Sequence, residues 1–336
     1  MSVTILVVFA IFLALITFVT FIFSLSPTTS FFLGVSGALF IMLFQYLIGP
    51  WIVRLSTGLQ YLRPGDNPWL ENKVRQMSQQ SGIPMPRLAL VPDNTPNAFV
   101  FGRTQGDATL AVNQGLLQRL DEDEIEGVLA HELGHIKHRD FIVVTIVSAI
   151  PLVAYFLARG LFWTAPRSGS SRDKKEDAGA LILIAVLAYV VYIVTTLLSL
   201  RLTRLRESYA DAYSAYLTSK PRELESALTK IAYGLSLSPE EPHGARAFFI
   251  EDPAQAKQEV AGIVENKNQY DLDRDGVLSE RELEKAMEVE ASSNWRKATE
   301  LFATHPPVYK RILMLRQIDD EMRSGSYQQQ GVYKHV

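Results

Sequence analysis

The chain contains no cysteine, which excludes disulfides, thiol nucleophiles and cysteine-ligated metal sites. It also lacks a charge excess of either sign: 33 lysines and arginines against 36 aspartates and glutamates give a formal net charge of −3. No nucleic-acid partner is expected from so even a balance. No internal repeat is visible. Finally, it lacks the polar average of a soluble chain. The mean hydropathy is +0.08, and the apolar surplus gathers in four runs, 3–23, 31–53, 141–163 and 179–200. Each is near the ~20 residues that a bilayer core requires.

The first run differs from a secretory leader. No lysine or arginine precedes it, it outlasts a usual apolar h-region, and Pro27 follows the small-residue site Ser24-Leu25-Ser26, so it reads as an uncleaved anchor. The uncharged link 24–30 predicts a tight hairpin into the second run. Basic residues near the span ends set orientation. Arg54, Arg63, Lys137, Arg139, Arg201, Arg204 and Arg206 stand on one side against Arg159, Arg167, Arg172, Lys174 and Lys175 on the other, which favours a cytosolic location for the richer side. Pro151, Arg159 and Gly160 within the third run point to a kink or partial cover by protein.

The richer side carries His131-Glu132-Leu133-Gly134-His135. On a helix, residues four apart share a face, so His131 and His135 can offer two imidazoles to one zinc ion while Glu132 stands beside it as a base. The helix start is marked. Asp121 followed by Glu124 reads as a capping box, Leu120 and Ile125 can staple across it, and the acidic run 121–124 complements the positive end of the helix dipole.

Upstream, Asn67 and Pro68 open a helix that carries Leu70, Val74 and Met77 on one face and stops at Gly82. Short strands are expected at Arg87–Val91, within the segment 97–102 and over 108–112. They suit a small sheet whose edge can hold an extended peptide. Downstream, Glu207 and Asp211 lie four apart on an uninterrupted helix. Glu207 can complete a two-histidine, one-carboxylate site while Asp211 orients a ligand imidazole. The spacing alone also suits a surface carboxylate paired with Arg204 or Arg206.

Taken together, HELGHIKHRD, the four apolar runs, Asn97-Ala98-Phe99, RLRESYAD and Thr304-His305-Pro306-Pro307 before Arg311-Ile312 resemble the HtpX-type membrane metalloproteases, relatives of the CAAX prenyl proteases. The resemblance covers nearly the whole chain. It implies zinc on His131, His135 and Glu207 and Glu132 as the base. It also implies a prokaryotic plasma membrane, a cytosol-facing catalytic domain, and protein substrates that are damaged membrane proteins. Within that mechanism His305 and Arg206 are candidates to stabilise the oxyanion, and Asn97 to anchor the substrate backbone. His138, one turn beyond His135, is placed behind the ligands or at the membrane interface, because a catalytic zinc keeps one position open.

One stretch departs from the family pattern. Asp271, Asp273, Asp275, Gly276, Val277, Ser279 and Glu282 occupy the positions of a complete EF-hand loop, whose oxygen-only ligands select calcium. Helices are expected on either side, over 254–268 and 281–291. Arg222–Tyr233 and a segment from Pro306 or Pro307 to about Arg323 also read as helices.

The expected class is therefore mainly α, within α+β: four transmembrane helices, a zincin-type protease domain of small sheet plus HExxH helix, and an EF-hand-like insertion. The order is a transmembrane hairpin (1–53), a first protease segment (54–140), a second hairpin (141–200), a second protease segment (201–253), the insertion (254–298), a closing helix (299–323) and a disordered tail (324–336). The reading from another class is a membrane-anchored sensor with a structural metal and calcium-driven docking.

Overall fold

The structure, a computed structural model, describes residues 27–143, 151, 155, 159, 172–236, 249–251, 253–265, 267–272, 282, 283, 285, 286, 289, 303–327 and 333–336. The chain divides into two units, Met1–Gly49 with Ile142–Arg201, and Pro50–Phe141 with Leu202–Val336.

The described residues of the first unit are helical. Helix α1 (Pro27–Thr57) starts inside the 24–30 link that was expected to be a hairpin; proline is well suited to a first turn, where no N–H is needed. In this unit Leu39, Phe40, Leu43 and Leu47 of α1 are exposed, as are Leu183, Leu187, Val190 and Leu198 of a later helix, α5 (Arg172–Thr218). Among the described residues, the stretch Ala185–Thr218 is long and apolar enough to cross a membrane. Within that stretch the sequence turns polar after Leu200, with Arg201, Arg204 and Arg206. The run 3–23 and most of the run 141–163 lie outside the described residues.

The second unit is built on a four-stranded sheet, β1 (Gln60–Tyr61), β2 (Arg87–Val91), β3 (Ala98–Phe101) and β4 (Thr109–Asn113), in the order β1-β2-β4-β3. The β2–β4 pair is parallel, with Leu88 opposite Leu110; β1 and β3 add antiparallel at the two edges. Period-two alternation splits the strands cleanly. Leu88, Ala98, Leu110 and Val112 face the main helical core, whereas Ala89, Val91, Phe99, Phe101 and Ala111 form a second cluster with Val53 and Leu59.

Helix α2 (Pro68–Ser81) closes as its sequence predicts: Asn67 Oδ1 accepts from Leu70 N at 3.1 Å, and Gly82 turns left-handed with φ 63°. Its Leu70, Val74 and Met77 are buried. After a short α3 (Gln114–Arg119), α4 (Glu122–His138) enters the core. Helices α6 (Pro221–Ser236) and α7 (Pro253–Glu265), a short α8 (Lys267–Tyr270) and α9 (Val308–Arg323) follow α5. Ala256, Val260, Ile263, Leu283 and Ala286 share one core cluster with Val128 and Leu228. These described residues of the segment expected as an insertion thus share the core of the second unit.

The described ends of the tail 324–336, expected to be disordered, make defined contacts. The Tyr333 hydroxyl lies 2.7 Å from His138 Nε2, and Lys334 and His335 pair with Glu321. Four tyrosines explain this order better than the tail's polar composition does, because Tyr333 packs against Tyr209 in a layer that also holds Tyr213 and Tyr216.

Candidate metal centre

Helix α4 carries the first three groups. Asp121 Oδ1 accepts from Asp123 N and Glu124 N at 3.0 and 2.9 Å, and Glu124 Oε2 accepts from Asp121 N at 2.9 Å. The other carboxylate oxygen of Glu124 holds Ser226 and Lys230 of α6, so the cap also ties the metal helix to its neighbour. Ten to fourteen residues on, His131 and Glu132 are buried and His135 is nearly so.

Glu207 and Asp211 come from α5. Gly134 permits the approach, since a Cβ there would stand 3.3 Å from both Ala210 Cα and Tyr213 Cδ1. His131 Nε2 and His135 Nε2 are 3.1 Å apart, and the Glu207 carboxylate lies 3.5 Å from the first and 3.7 Å from the second. Two donors at about 2.05 Å from one tetrahedral zinc stand roughly 3.3 Å apart, so this spacing fits the ion.

The far side of each ring gives a second test. Asp211 Oδ1 stands 2.9 Å from His131 Nδ1, and Asp140 Oδ2 2.7 Å from His135 Nδ1. With a carboxylate beside each Nδ1, the two Nε2 atoms and the Glu207 carboxylate are left facing one another, an arrangement suited to a metal cation. Among the described residues, this trio is the group of histidines and carboxylates able to hold a metal.

Burial would raise the Glu207 pKa, but the charge of His135 and the bond to His131 outweigh it and pull the carboxyl far below its usual range; His305 adds to this. Burial opposes a charge on His131, yet Asp211 and Glu207 together raise its pKa. Glu132 is pushed up by burial, against the pull of His135 and His131. Burial and the Arg206 charge push His138 down to about 4.

The structure thus brings together His131, Glu132, His135, Glu207 and Asp211, with His305 buried close enough to Glu207 to act on its charge. His138 is turned to Tyr333 rather than to the donors. Asn97 is buried, and its Oδ1 accepts from Ile250 N at 3.0 Å, so this acceptor serves the chain itself. Arg206 is ion-paired to Asp140 and donates to the His138 carbonyl at 3.2 Å. Of the EF-hand positions, Asp271 and Glu282 are described, and the Leu272 amide donates to Glu282 Oε1; Asp273, Asp275, Val277 and Ser279 lie outside the described residues.

Sequence reasoning missed two residues. Asp140 reaches His135 because Arg139 takes the left-handed conformation, φ 58° and ψ 41°, a turn that an arginine does not advertise. Arg311 is fully buried and grips Asp211 through Nε and Nη2 at 2.8 and 2.7 Å, while its Nη1 donates to Ile250 O at 2.6 Å. Nothing in its sequence neighbourhood marks it as buried.

A buried helix presenting two imidazoles and a carboxylate, completed by an acidic donor from a second helix, defines a metallopeptidase. The chain belongs to peptidase family M48, whose sequence model matches residues 64–319, and within it to the HtpX type. It is 36% identical to the protease HtpX homolog of Methanothermobacter thermautotrophicus over 232 residues, 67% of this chain and 85% of that protein. It is 33% identical to the protease HtpX homolog of Aeropyrum pernix over 278 residues, 83% of each. The crystal structure of S. mikatae Ste24p is similar at a TM-score of 0.49 and 15% identity, over 91% of this chain and 62% of that one. By family membership the protein is a metalloprotease that hydrolyses peptide bonds.

Proposed function

We propose that this protease is an integral-membrane, zinc-dependent endopeptidase in which His131, His135 and Glu207 hold the metal and Glu132 is the general base. The observation that carries the reading is the convergence of two Nε2 atoms and the Glu207 carboxylate within 3.1–3.7 Å. Zinc held there supplies a Lewis acid that lowers the pKa of a water molecule toward about 7 and polarises the scissile carbonyl. Glu132, its pKa raised by burial, takes the proton of the attacking water and hands it to the leaving amine. Asp211 and Asp140 keep both imidazoles in the tautomer that leaves Nε2 free to bind. The β3 edge, which packs against α4, offers backbone groups to an extended peptide. His305, beside Glu207, is the candidate to stabilise the oxyanion.

Damaged or misfolded membrane proteins are the proposed substrates, in a prokaryotic plasma membrane with the catalytic domain in the cytosol. Arginine clustering at 201, 204 and 206 supports the orientation, and the HtpX homologs of Methanothermobacter thermautotrophicus and Aeropyrum pernix support a prokaryotic setting. Calcium is the proposed ligand of the loop from Asp271 to Glu282, whose ends meet through the Leu272–Glu282 bond. Zinc content and peptide hydrolysis of detergent-purified protein, with and without calcium, test the whole reading. About one zinc per chain with hydrolysis of unfolded substrates is expected. A wild type that retains zinc yet cleaves nothing would overturn the assignment of the centre as catalytic. Identical melting and activity with and without calcium would remove calcium from the account.

A further inference from the structure

Each candidate ligand histidine is backed by a carboxylate, and each carboxylate by an arginine. On one side the chain of contacts is His131, Asp211, Arg311; on the other it is His135, Asp140, Arg206. We infer that Arg206 and Arg311 are positioning residues of the metal centre, acting through Asp140 and Asp211 on the two imidazoles. This rests on the assignment of His131, His135 and Glu207 as ligands.

The two arginines reach the site differently. Arg311 is fully buried in α9 and forms a fork on Asp211, a geometry lysine cannot reproduce. Its remaining nitrogen holds the Ile250 carbonyl, while Asn97 Oδ1 accepts from the Ile250 amide. Ile250 is thus held at both backbone groups, and the Asp211 support requires α5, α9 and the segment 249–251 to be assembled. Arg206 sits at the rim, with 14% of its side chain exposed. It clamps Asp140 and accepts the geometry of the left-handed turn at Arg139 by donating to the His138 carbonyl. Without the arginine, Asp140 follows a left-handed residue and, among the described residues, its carboxylate keeps only the His135 contact.

This role is distinct from oxyanion stabilisation, the other task for which Arg206 is a candidate. A guanidinium that met the reacting atoms would affect turnover and leave metal binding alone. One that holds Asp140 affects the ligand itself, and removing such outer partners costs on the order of 10–100-fold in metal affinity.

The test uses full-length protein in detergent. Zinc affinity is measured by chelator competition, and the visible spectrum is recorded after cobalt replaces zinc, for wild type, Arg206→Gln, Arg206→Lys, Asp140→Asn and the Arg206→Gln/Asp140→Asn double variant. The melting temperature of each zinc-free protein is the control for folding. Arg206→Gln is expected to bind zinc more weakly, by at most the roughly 10–100-fold that losing the ligand's own outer partner Asp140 costs, with an altered cobalt spectrum and near-wild-type melting. The double variant should lose little beyond Asp140→Asn, because the two act in one chain. Arg311→Lys should weaken zinc similarly; should it not fold, the Arg206 series decides alone. Wild-type zinc affinity and spectrum in Arg206→Gln, with turnover reduced, would overturn the inference in favour of direct action on the substrate. The ligand assignment itself is checked by His135→Ala: if that variant keeps its zinc, the assignment has failed, whatever Arg206 does.

Discussion

At the scale of single residues, the metal centre is assembled from groups that helix spacing places and groups that backbone turns place. His131 and His135 share a face because four residues make about one turn, and the same rule put Glu207 and Asp211 together on α5. Asp140 escaped because its place depends on φ at Arg139, and Arg311 because a buried arginine cannot be told from an exposed one by its neighbours in sequence. Glu132 is the residue whose chemistry is most exposed to test. It is buried and not among the three converging donors, so Glu132→Gln is expected to keep zinc while losing hydrolysis by about 10²–10⁴-fold. Metal analysis beside a peptide assay separates the two. Loss of zinc together with activity would instead make Glu132 a ligand or a support of one.

Among the elements, α4 and α2 were readable because each carries its own punctuation, a capping box in one and Asn67, Pro68 and Gly82 in the other. Strand β2 was readable to the residue, whereas β1, two residues long, has no pattern to find. Removing the cap with Asp121→Ala is expected to cost about 1 kcal/mol, read as a lower denaturant midpoint. The contact between α4 and α5 matters more to the centre. Gly134→Ala puts a methyl group 3.3 Å from the Ala210 backbone, which can yield only if the helices move apart. Overpacking of this kind costs about 1–3 kcal/mol. The same movement draws Glu207 from the histidines, so zinc affinity should fall together with the melting temperature. Lower stability at unchanged zinc affinity would show that the helices separate elsewhere along their length.

Across the molecule, local pattern does not encode how distant segments share a core. The region 254–298 stood out by its calcium-type loop, yet Val260, Ile263 and Leu283 are buried with residues of α4 and α6, a placement that local pattern does not encode. The end of the chain likewise returns to the protease domain, with Tyr333 against His138, and the burial of this histidine sets a pH dependence. Burial and the Arg206 charge push His138 down to about 4, while burial pushes the Tyr333 hydroxyl up to about 12. The tyrosine therefore stays protonated and can donate to neutral His138. The unfolded chain takes up a proton on this histidine near its ordinary 6.5, whereas the folded chain resists until about 4. Its contribution to stability is complete above pH 6.5 and is lost as pH falls toward 4. Asp211 is held low against its burial by Arg311, so its own loss lies below its ordinary 3.8 and outside that window. Melting of wild type and His138→Gln, followed from pH 8 to pH 4, should show the two curves converging as pH falls through the window, with tail contacts released in the wild type. Parallel curves would assign the acid sensitivity to other groups and leave Tyr333 as packing alone.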